Sequence, residues 1–397
     1  MRILYHHRTQ AEDGQAVHIR ALQAAFRELG HEVLEVGLVS QGADASAAAS
    51  NGAADSGRSR WSWVKRLPPA LLELCEYGYG FAARGRLLRE AAHFEPDFLY
   101  ERYAFGNTAG VRAARRLTLP LVLEVNSPMV LELSRTRGLA FPRLARRTED
   151  FVFHEATRVC VVTGVLGDML AELGVERERL LVTPNGVHLE QYPEPGASGA
   201  DGAARDRARG ELGCAAAGPV LGFVGYYRSW HRLDLALECL LQPGLEDAAL
   251  VLVGEGPAEA ELVERARELG LAERLVLAGP RPHAAIPRLL PAFDVGLIPA
   301  INPYASPLKL HEYMAAGLVV VAPRQPNLCE VLEDGENALL FEPGDGDGLC
   351  AAVAALLGDA ERARALGRRA RATVVERDLT WTGNARRVLA AVEALAA

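Results

Sequence analysis

Residues 302–322 read Asn-Pro-Tyr-Ala-Ser-Pro-Leu-Lys-Leu-His-Glu-Tyr-Met-Ala-Ala-Gly-Leu-Val-Val-Val-Ala. This stretch predicts a loop, a helix over 307–316, a glycine stop and a buried strand. Ser306 suits the N-cap because its hydroxyl accepts a hydrogen bond from an amide of the first turn. Pro307 suits the first helical position, where a missing amide proton costs nothing. Gly317 favours the left-handed conformation that closes a helix.

Two charged side chains share one face of this predicted helix. Leu310, Met314 and Gly317 recur at i, i+4 and i+7 and are expected to face a sheet. Lys309 and Glu312 are three residues apart near the helix start. Free amides, a lysine and a carboxylate suit a ligand with an anion and a diol, which a nucleotide sugar has. The alternative is an ordinary ion pair within the helix, worth about 0.2–0.5 kcal/mol.

Short apolar strands alternate with helical stretches along the whole chain. The predicted strands are Ile3 to Tyr5, Glu32 to Val36, Pro96 to Tyr100, Leu119 to Val125, Arg158 to Val162, Leu180 to Thr183, Val220 to Val224, Ala249 to Val253, Leu275 to Ala278, Val295 to Ile298, Val319 to Ala322 and Ala338 to Phe341. This rhythm predicts an α/β protein with two Rossmann-like parallel sheets. Ligands of such sheets lie outside the carboxyl ends of the strands, so the cleft between the halves is the expected site.

Composition supports this division. The chain has 397 residues, of which 49% are hydrophobic, enough for two globular domains. A Pro-, Gly- and Ala-rich stretch over 193–210 separates the halves, and the low-complexity residues 41–60 are predicted to form a mobile loop. The net charge of −8 argues against nucleic acid as the main partner.

The six cysteines show neither a C-x-x-C pair nor a metal-binding spacing. Cys160, Cys239 and Cys350 lie in apolar runs and are predicted to be unpaired core residues. Together with an N-terminus too polar for a signal peptide, this predicts a cytoplasmic protein. Trp61 to Tyr79 and Arg135 to Arg147 combine basic and apolar residues, so peripheral membrane contact is possible, although the net charge disfavours it.

Further charged groups follow the predicted strands of the second half. Residues 220–234 form a strand that runs into Gly225, where the backbone allows close approach. Arg228, His231 and Arg232 are suited to hold a phosphate, although a solvated surface loop is an equal alternative. Gly254-Glu255-Gly256-Pro257 is first of all a tight turn, and Gly14 precedes a helix whose amides suit a second anion.

Several of these motifs together resemble the family 4 glycosyltransferases of the GT-B fold. They are Val-Gly-Glu-Gly-Pro at 253–257, Pro-Asn-Gly-Val at 184–187, the helix motif at 306–317, Phe-Val-Gly at 223–225, Ala-Phe-Asp-Val-Gly-Leu-Ile-Pro at 292–299 and Gly-His-Glu-Val at 30–33. Tyr-Glu-Arg-Tyr at 100–103 and Leu-Glu-Val-Asn-Ser-Pro at 123–128 resemble one bacterial branch. The resemblance implies an acceptor domain over 1–192, a linker over 193–210, a donor domain over 211–375 and a C-terminal helix, 376–397, that returns to the first domain.

The resemblance also implies roles for individual residues. Glu312 matches the second glutamate of the family's E-x7-E motif, which holds the ribose, whereas the first glutamate is replaced by Tyr304. Tyr226 and His231 stand where the family has an arginine and a lysine, so Arg228 is the expected substitute. The predicted catalytic residues are Arg228, Lys309 and Glu312. The predicted donor-binding residues are Gly14, Gly225, His231, Glu255, Arg281, Ser306, Pro307, Leu308, Lys309 and Glu312. The predicted acceptor-binding residues, which end strands of the first half, are Glu101, Glu124 and Asn126.

The implied activity is a metal-independent, retaining transfer of a sugar from a nucleotide diphosphate sugar, with a UDP-sugar as the expected co-substrate. The expected acceptor is a hydroxyl or amine of a small molecule or a glycan. A GT-B-type sugar-nucleotide epimerase is one alternative, which would need catalytic carboxylates in the cleft. A non-catalytic nucleotide-sugar binding protein is another, favoured by the loss of the acid at Tyr304. The alternative to an acceptor role for Glu101 is a structural ion pair with Arg102.

Overall fold

The computed structural model describes residues 1–9, 14–37, 68–194, 201–214 and 218–395. Contacts within the chain cluster into two compact units, one of Met1–Thr183 with Asn384–Ala397 and one of Pro184–Gly383. The predicted loop over 41–60 and residues 195–200 of the predicted linker lie outside the described residues.

The first unit is a parallel sheet of six strands in the order β2-β1-β3-β4-β5-β6. The strands are β1 (Arg2–His6), β2 (Glu32–Val36), β3 (Phe98–Arg102), β4 (Leu121–Val125), β5 (Arg158–Val161) and β6 (Leu180–Val182). The helices are α1 (Gly14–Glu28), α2 (Pro69–Phe94), α3 (Ala109–Leu117), α4 (Met129–Thr136), α5 (Pro142–Glu155) and α6 (Gly164–Glu172). β3 and β4 are buried along their whole length, as expected for central strands of a parallel sheet with helices on both faces.

The second unit contains another six-stranded parallel sheet, in the order β12-β11-β10-β7-β8-β9. Its strands are β7 (Val220–Val224), β8 (Ala249–Val253), β9 (Leu275–Gly279), β10 (Val295–Leu297), β11 (Val320–Pro323) and β12 (Leu339–Phe341). Its helices are α7 (Asp201–Leu212), α8 (Leu233–Glu238), α9 (Glu259–Glu268), α10 (Ile286–Leu289), α11 (Leu308–Ala315), α12 (Pro326–Cys329), α13 (Gly346–Leu357) and α14 (Ala360–Glu376). The last helix, α15 (Trp381–Glu393), begins in this unit, and its residues from Asn384 cluster with the first.

Alternating side chains of the second sheet enter two separate apolar cores. Val220 and Val251 belong to one core, whereas Leu221, Phe223 and Leu250 belong to the other. This pattern follows from the two-residue period of a strand and confirms that helices cover both faces of the sheet. The predicted α/β architecture with two Rossmann-like sheets is therefore confirmed.

The strand orders also locate the point where each sheet reverses direction. In the second sheet β8 and β9 lie on one side of β7, and the chain then crosses to the other side, where β10, β11 and β12 lie, so the reversal falls between β7 and β10. In the first sheet the corresponding position lies between β1 and β3. Ligands of doubly wound sheets bind at the carboxyl ends of the strands at such a point. The carboxyl ends of β1 and β3 and of β7 and β10 are thus the two expected ligand-binding positions.

Two expectations about connecting segments are wrong. Residues 201–210, predicted as linker, lie in α7, whose Ala208 and Leu212 are buried in the core of the second unit. Contacts divide the units after Thr183, earlier than the predicted boundary after residue 192. The assignment of acceptor and donor roles to the two domains stays a prediction.

The prediction that Cys239 and Cys350 are unpaired is also wrong. The two residues are joined as a disulfide, with their Cα atoms 4.8 Å apart. They are 111 residues apart in the sequence, and the packing of α13 against the helical turn after α8 brings them together. Cys160 is a buried free thiol, as predicted. The expectation of a reducing compartment loses the support that it drew from unpaired cysteines.

Candidate functional site

The carboxyl end of β7 meets the start of α11 at the reversal point of the second sheet. Gly225 follows β7 with a φ of +140°, a conformation that favours glycine. A Cβ atom at this residue would lie 3.0 Å from Nζ of Lys309. The hydroxyl of Tyr313 accepts a hydrogen bond from the amide of Val224 at 2.9 Å, which fixes α11 against β7. The sequence prediction that Gly225 permits a close approach agrees with this geometry.

Lys309 is a cation in an apolar environment. Its Nζ atom lies 3.8 Å from the centre of the Phe223 ring, within the range of a cation–π contact. Burial lowers the pKa of Lys309 to about 7, and Glu312 opposes this effect only in part. No carboxylate among the described residues lies within ion-pair distance of Nζ, so the predicted alternative of a Lys309–Glu312 ion pair is not formed. A bound anion would restore the charge that burial disfavours.

Glu312 instead contacts a residue that the sequence interpretation missed. Its Oε1 atom lies 2.5 Å from Nε2 of His283, and its side chain is only 6% exposed, against 39% for His283. Burial and the charge of Glu312 raise the pKa of the Tyr192 hydroxyl. His283 follows the end of β9 in the loop Arg281-Pro282-His283. The position of His283 shortly after a strand was the available sequence signal for a site residue. Nothing in the sequence pairs His283 with Glu312.

The N-cap prediction for Ser306 is wrong. α11 begins at Leu308, Pro307 is its cap residue in an extended conformation, and no side chain caps the helix. The Ser306 hydroxyl accepts a hydrogen bond from the amide of Asn185 at 3.1 Å, and the Ser306 carbonyl accepts another from the Asn185 side-chain amide. The motif Pro-Asn-Gly-Val therefore braces the loop before α11, and the first amides of the helix are left without a side-chain acceptor. Gly317, with φ +67°, closes the helix as predicted.

Arg228 lies on the loop after β7 between two exposed aromatic rings. Its guanidinium carbon is 4.9 Å from the centre of the Tyr226 ring and 4.8 Å from that of Trp230. No described carboxylate lies within ion-pair distance of this guanidinium. With aromatic rings as its near neighbours and no described ion pair, the guanidinium keeps N–H groups that are suited to an anion.

The suggestion that His231 and Arg232 supply positive charge is wrong. Burial, with added repulsion from Lys309 and Arg228, lowers the pKa of His231 to about 3, so its ring is neutral near pH 7. Arg232 is bound to Asp234 at 2.9 Å. Lys309 and Arg228 are thus two cations near the end of β7 that have no described carboxylate within ion-pair distance.

Of the remaining predicted donor residues, Glu255 and Arg281 follow strands of the second sheet, and Gly14 belongs to the first unit. The carbonyl of Glu255 accepts a hydrogen bond from the amide of Tyr227 at 2.8 Å, which joins the turn after β8 to the loop after β7, and its side chain is exposed. Arg281 is exposed in the loop after β9. Gly14 is exposed at the start of α1, in the first unit.

The reversal point of the first sheet holds carboxylates that are already bound. Glu101, 1% exposed, accepts hydrogen bonds from Asn107 at 2.9 Å and from the amide of Gly110 at 3.1 Å, and its Oε1 lies 2.6 Å from His6. The alternative of a Glu101–Arg102 ion pair is wrong, because neighbouring strand residues point to opposite faces. Arg102 binds Glu124 instead.

Glu124 lies at the centre of a buried polar cluster. Oε2 accepts a hydrogen bond from the Tyr100 hydroxyl at 2.9 Å, Oε1 lies 3.2 Å from His18, and Arg102 and Asn126 donate to the same oxygen. Burial alone would raise the pKa of Glu124, but His18 and Arg102 hold it well below its usual range. Both carboxylate oxygens of Glu124 are thus engaged by internal partners, one of them Asn126, whereas Oε2 of Glu101 is buried without a hydrogen-bond partner in the described part of the chain.

Two family models match the chain. The model described as "Glycosyltransferase Family 4" matches residues 13–191, and the model "Glycosyl transferases group 1" matches residues 218–359. Similar curated proteins include a D-inositol 3-phosphate glycosyltransferase of Nocardia farcinica, 29% identical over 72% of this chain and 64% of the relative. A 2-deoxystreptamine glucosyltransferase of Streptomyces kanamyceticus is 28% identical over 63% of this chain and 65% of the relative. The chain thus aligns with a little under two thirds of these relatives' length.

Solved structures share the fold over nearly the whole chain. Alr3699/HepE of Anabaena in complex with UDP has a TM-score of 0.74 at 18% identity, covering 99% of this chain and 100% of that one. The sucrose-phosphate synthase of Thermosynechococcus elongatus has a TM-score of 0.73 at 18% identity, covering 100% and 99%. These similarities confirm the predicted GT-B fold. At 18% identity they concern the fold alone.

Proposed function

The chain belongs to the family 4 type of GT-B glycosyltransferases, and from this premise we propose that it transfers a sugar from a nucleotide diphosphate sugar to a hydroxyl or amine of a small polar acceptor. The observation that carries the proposal is Lys309. This buried cation lies at the reversal point of the second sheet, beside the amides at the start of α11, and has no described carboxylate as its partner. A diphosphate satisfies all of these groups together.

The diphosphate and the ribose of the proposed donor each have a matching group at this end of the sheet. The diphosphate would meet Lys309 and the amides of Leu308 and Lys309, with Arg228 supplying a second cation. Glu312 would accept hydrogen bonds from the two ribose hydroxyls in place of its contact with His283. A UDP-sugar is the proposed donor, supported by the UDP in the complex of the similar Anabaena protein.

The proposed chemistry is a front-face transfer that retains the anomeric configuration. The bond between the anomeric carbon and the diphosphate oxygen breaks, and a bond from the same carbon to the acceptor oxygen or nitrogen forms. The acceptor proton passes to an oxygen of the departing diphosphate. As negative charge develops on that diphosphate, Lys309 and Arg228 stabilise it, and such stabilisation is commonly the largest catalytic contribution.

The acceptor proposal rests on chemistry rather than on particular residues. The relatives named above act, by their names, on an inositol phosphate and on 2-deoxystreptamine. A hydroxylated or aminated ring is therefore the proposed acceptor class. Glu124 is assigned no acceptor contact, because both of its carboxylate oxygens have internal partners.

The experiment is a titration of the purified chain with UDP, UDP-glucose, GDP-mannose and ADP-glucose by calorimetry. We expect one nucleotide to bind, and Glu312→Ala to weaken its binding by roughly 1.5–3 kcal/mol, the scale of hydrogen bonds to charged groups. Glu342→Ala, a change of an exposed glutamate, is the matched control. Equal affinity of Glu312→Ala and the unchanged chain would refute the site.

Turnover separates this proposal from its rivals. Release of free sugar from the donor in the absence of acceptor, or transfer to a cyclitol, is expected of a glycosyltransferase. Arg228→Ala should lower kcat more than it weakens nucleotide binding. Nucleotide binding without any bond cleavage would instead favour a non-catalytic binding protein, and interconversion of donor epimers would favour an epimerase.

A further inference from the structure

Two arginines share one carboxylate near the reversal point of the first sheet. Arg8 lies two residues after β1, and Arg137 directly follows α4. The guanidinium of Arg137 donates hydrogen bonds to both oxygens of Glu76 on α2, at 2.6 and 3.3 Å. Nη2 of Arg8 lies 3.7 Å from the same carboxylate, which is within ion-pair distance but too far for a hydrogen bond. Neither arginine has another carboxylate within ion-pair distance in the described part of the chain, so two positive charges face one negative charge.

The loop after β3 brings a third polar group to these arginines. The carbonyl of Phe105 accepts a hydrogen bond from Nη1 of Arg8 at 3.1 Å, and the Phe105 ring centre lies 5.5 Å from the guanidinium carbon of Arg137. The ring of Tyr77, on α2, packs against the Phe105 ring with the centroids 5.7 Å apart. A Cβ atom at Gly106 would lie 2.8 Å from the Tyr77 ring, so a glycine is needed for this approach. Arg8, Arg137 and Tyr77 thus converge on Phe105.

The protein leaves hydrogen-bond donors of this cluster unused. Within the described part of the chain, Arg8 donates its hydrogen bond to the Phe105 carbonyl, and the buried hydroxyl of Tyr77 has no partner. Burial, with nearby carboxylates, raises the pKa of Tyr77 to about 12, so its hydroxyl keeps its proton near pH 7. Burial lowers the pKa of Arg8, Glu76 opposes this effect, and the charge of Arg137 adds to it. Because a buried donor without an acceptor costs free energy, a bound oxyanion would stabilise these groups.

Solvent can reach this cluster. The side chains of Arg8, Arg137 and Glu76 are 19%, 27% and 18% exposed. In the buried pair on the same sheet, Arg102 and Glu124 are only 10% and 2% exposed, and one arginine meets one carboxylate. A cluster that is partly exposed and has more cations than anions is suited to bind an anion from solution.

We propose that Arg8, Arg137 and Tyr77 form a binding site in the first unit for an oxyanion, either a phosphate or a carboxylate group. A guanidinium presents paired N–H groups that match two oxygens of either anion, and the Tyr77 hydroxyl supplies a further donor. The biological role of the site rests on the proposed function, because in a glycosyltransferase the anion would be a substituent of the acceptor. An acidic acceptor is then favoured over an aminated one, which the two arginines would repel.

The test is a calorimetric titration of the full chain with inorganic phosphate and, separately, with acetate. The chain carries Arg228→Ala and Lys309→Met, which remove two cations of the proposed donor site and so limit phosphate binding there. We expect one ion to bind per chain. Stronger binding of phosphate would assign a phosphorylated ligand, and stronger binding of acetate a carboxylated one. The absence of saturable binding of both ions would overturn the proposal.

Substitutions in the cluster separate a binding role from a structural one. Arg8→Gln with Arg137→Gln should abolish ion binding, and Tyr77→Phe should weaken it by at least about tenfold, as expected when a charged group loses a hydrogen bond. Glu76→Gln removes the anion that competes for both arginines, so ion binding should become severalfold tighter. The added ion should also raise the melting temperature of Glu76→Gln more than that of its parent. Weaker or unchanged ion binding by folded Glu76→Gln would contradict the proposal.

A matched control lies on α5 of the same unit. Arg146→Gln with Arg147→Gln changes two exposed arginines and should leave ion binding unchanged. An equal loss in this control would indicate general attraction to a basic surface and would overturn the site. A titration of the unchanged chain with UDP keeps the two proposals apart. Binding of UDP without phosphate or acetate binding would refute this site alone, whereas ion binding at the cluster without UDP binding would support the site and refute the proposed UDP-sugar donor.

Discussion

The carboxyl ends of the two sheets both hold a buried charged side chain, but Glu124 of the first sheet has ionic partners inside the protein and Lys309 of the second sheet has no described carboxylate as its partner. At the end of β4, Glu124 is surrounded by Arg102, His18 and two other kinds of donor. At the end of β7, Lys309 and Arg228 have no described carboxylate within ion-pair distance. A buried charge with complete partners belongs to the scaffold, whereas one without them indicates a ligand. The comparison therefore favours the second sheet for the proposed donor site.

The largest expected effect tests the scaffold side of this comparison. Glu124→Ala leaves Arg102 and His18 without their anion inside the first unit, and breaking such a buried pair typically costs about 3–5 kcal/mol. Urea unfolding should show this loss in the free energy of unfolding, while nucleotide affinity stays unchanged. Glu172→Ala, on the exposed surface of α6, should change stability by no more than about 0.5 kcal/mol. A nucleotide-binding defect in a stable Glu124→Ala protein would break the comparison.

A smaller effect is expected where the second sheet approaches its ligand. Gly225→Ala places a Cβ atom 3.0 Å from Nζ of Lys309 and forces alanine to a φ of +140°. The strain should cost about 1–3 kcal/mol in stability. Gly244→Ala is the control, because its φ of +85° is also strained but nothing lies within 4 Å of the added atom. Melting temperatures should fall in both variants, and nucleotide affinity only in Gly225→Ala; a parallel fall in both would remove Gly225 from the site.

The sequence predicted the regular elements of both sheets well because local patterns determine them. The strands Glu32–Val36, Val220–Val224 and Ala249–Val253 begin and end where predicted. The glycine stop at Gly317 also follows from a local conformational preference. The order of the motifs along the whole chain predicted the fold, and the two family models match the chain in the same order.

What the sequence did not predict depends on partners that are distant in the chain. Ser306 is a good N-cap by residue type, but Asn185, 121 residues away, engages its hydroxyl. Cys239 and Cys350 pair across 111 residues. Such outcomes follow from tertiary packing, which no local pattern contains.

The pH dependence of binding sharpens the role of Lys309. Burial lowers its pKa to about 7, so the free side chain loses its proton as pH rises through 7. A bound diphosphate favours the charged form and raises that pKa, so binding above pH 7 takes up a proton. Affinity should fall by up to about 1.4 kcal/mol for each pH unit above 7. Calorimetry at pH 8 in buffers of different ionisation enthalpy measures this uptake.

Lys309→Met is the matched variant for that measurement, because it keeps an unbranched apolar stem against Phe223 and removes the charge. Its weaker nucleotide binding should show no proton uptake attributable to residue 309 and a flatter pH profile between 7 and 9. Proton uptake that persists in Lys309→Met would assign the titration to another group. Stability should not fall, because no described carboxylate loses an ion-pair partner.

The smallest expected effect concerns Glu312, a carboxylate of the proposed donor site that is paired with His283. In the free protein Glu312 lies 2.5 Å from Nε2 of His283, and proposed ribose binding must replace this contact. His283→Ala removes the competitor, so nucleotide affinity should rise by about 0.5–1.5 kcal/mol, the net value of one hydrogen bond. Titration with UDP and with inorganic pyrophosphate distinguishes the causes. Only UDP carries the ribose, so only its affinity should rise; a loss of UDP affinity would show instead that His283 helps to hold the nucleoside.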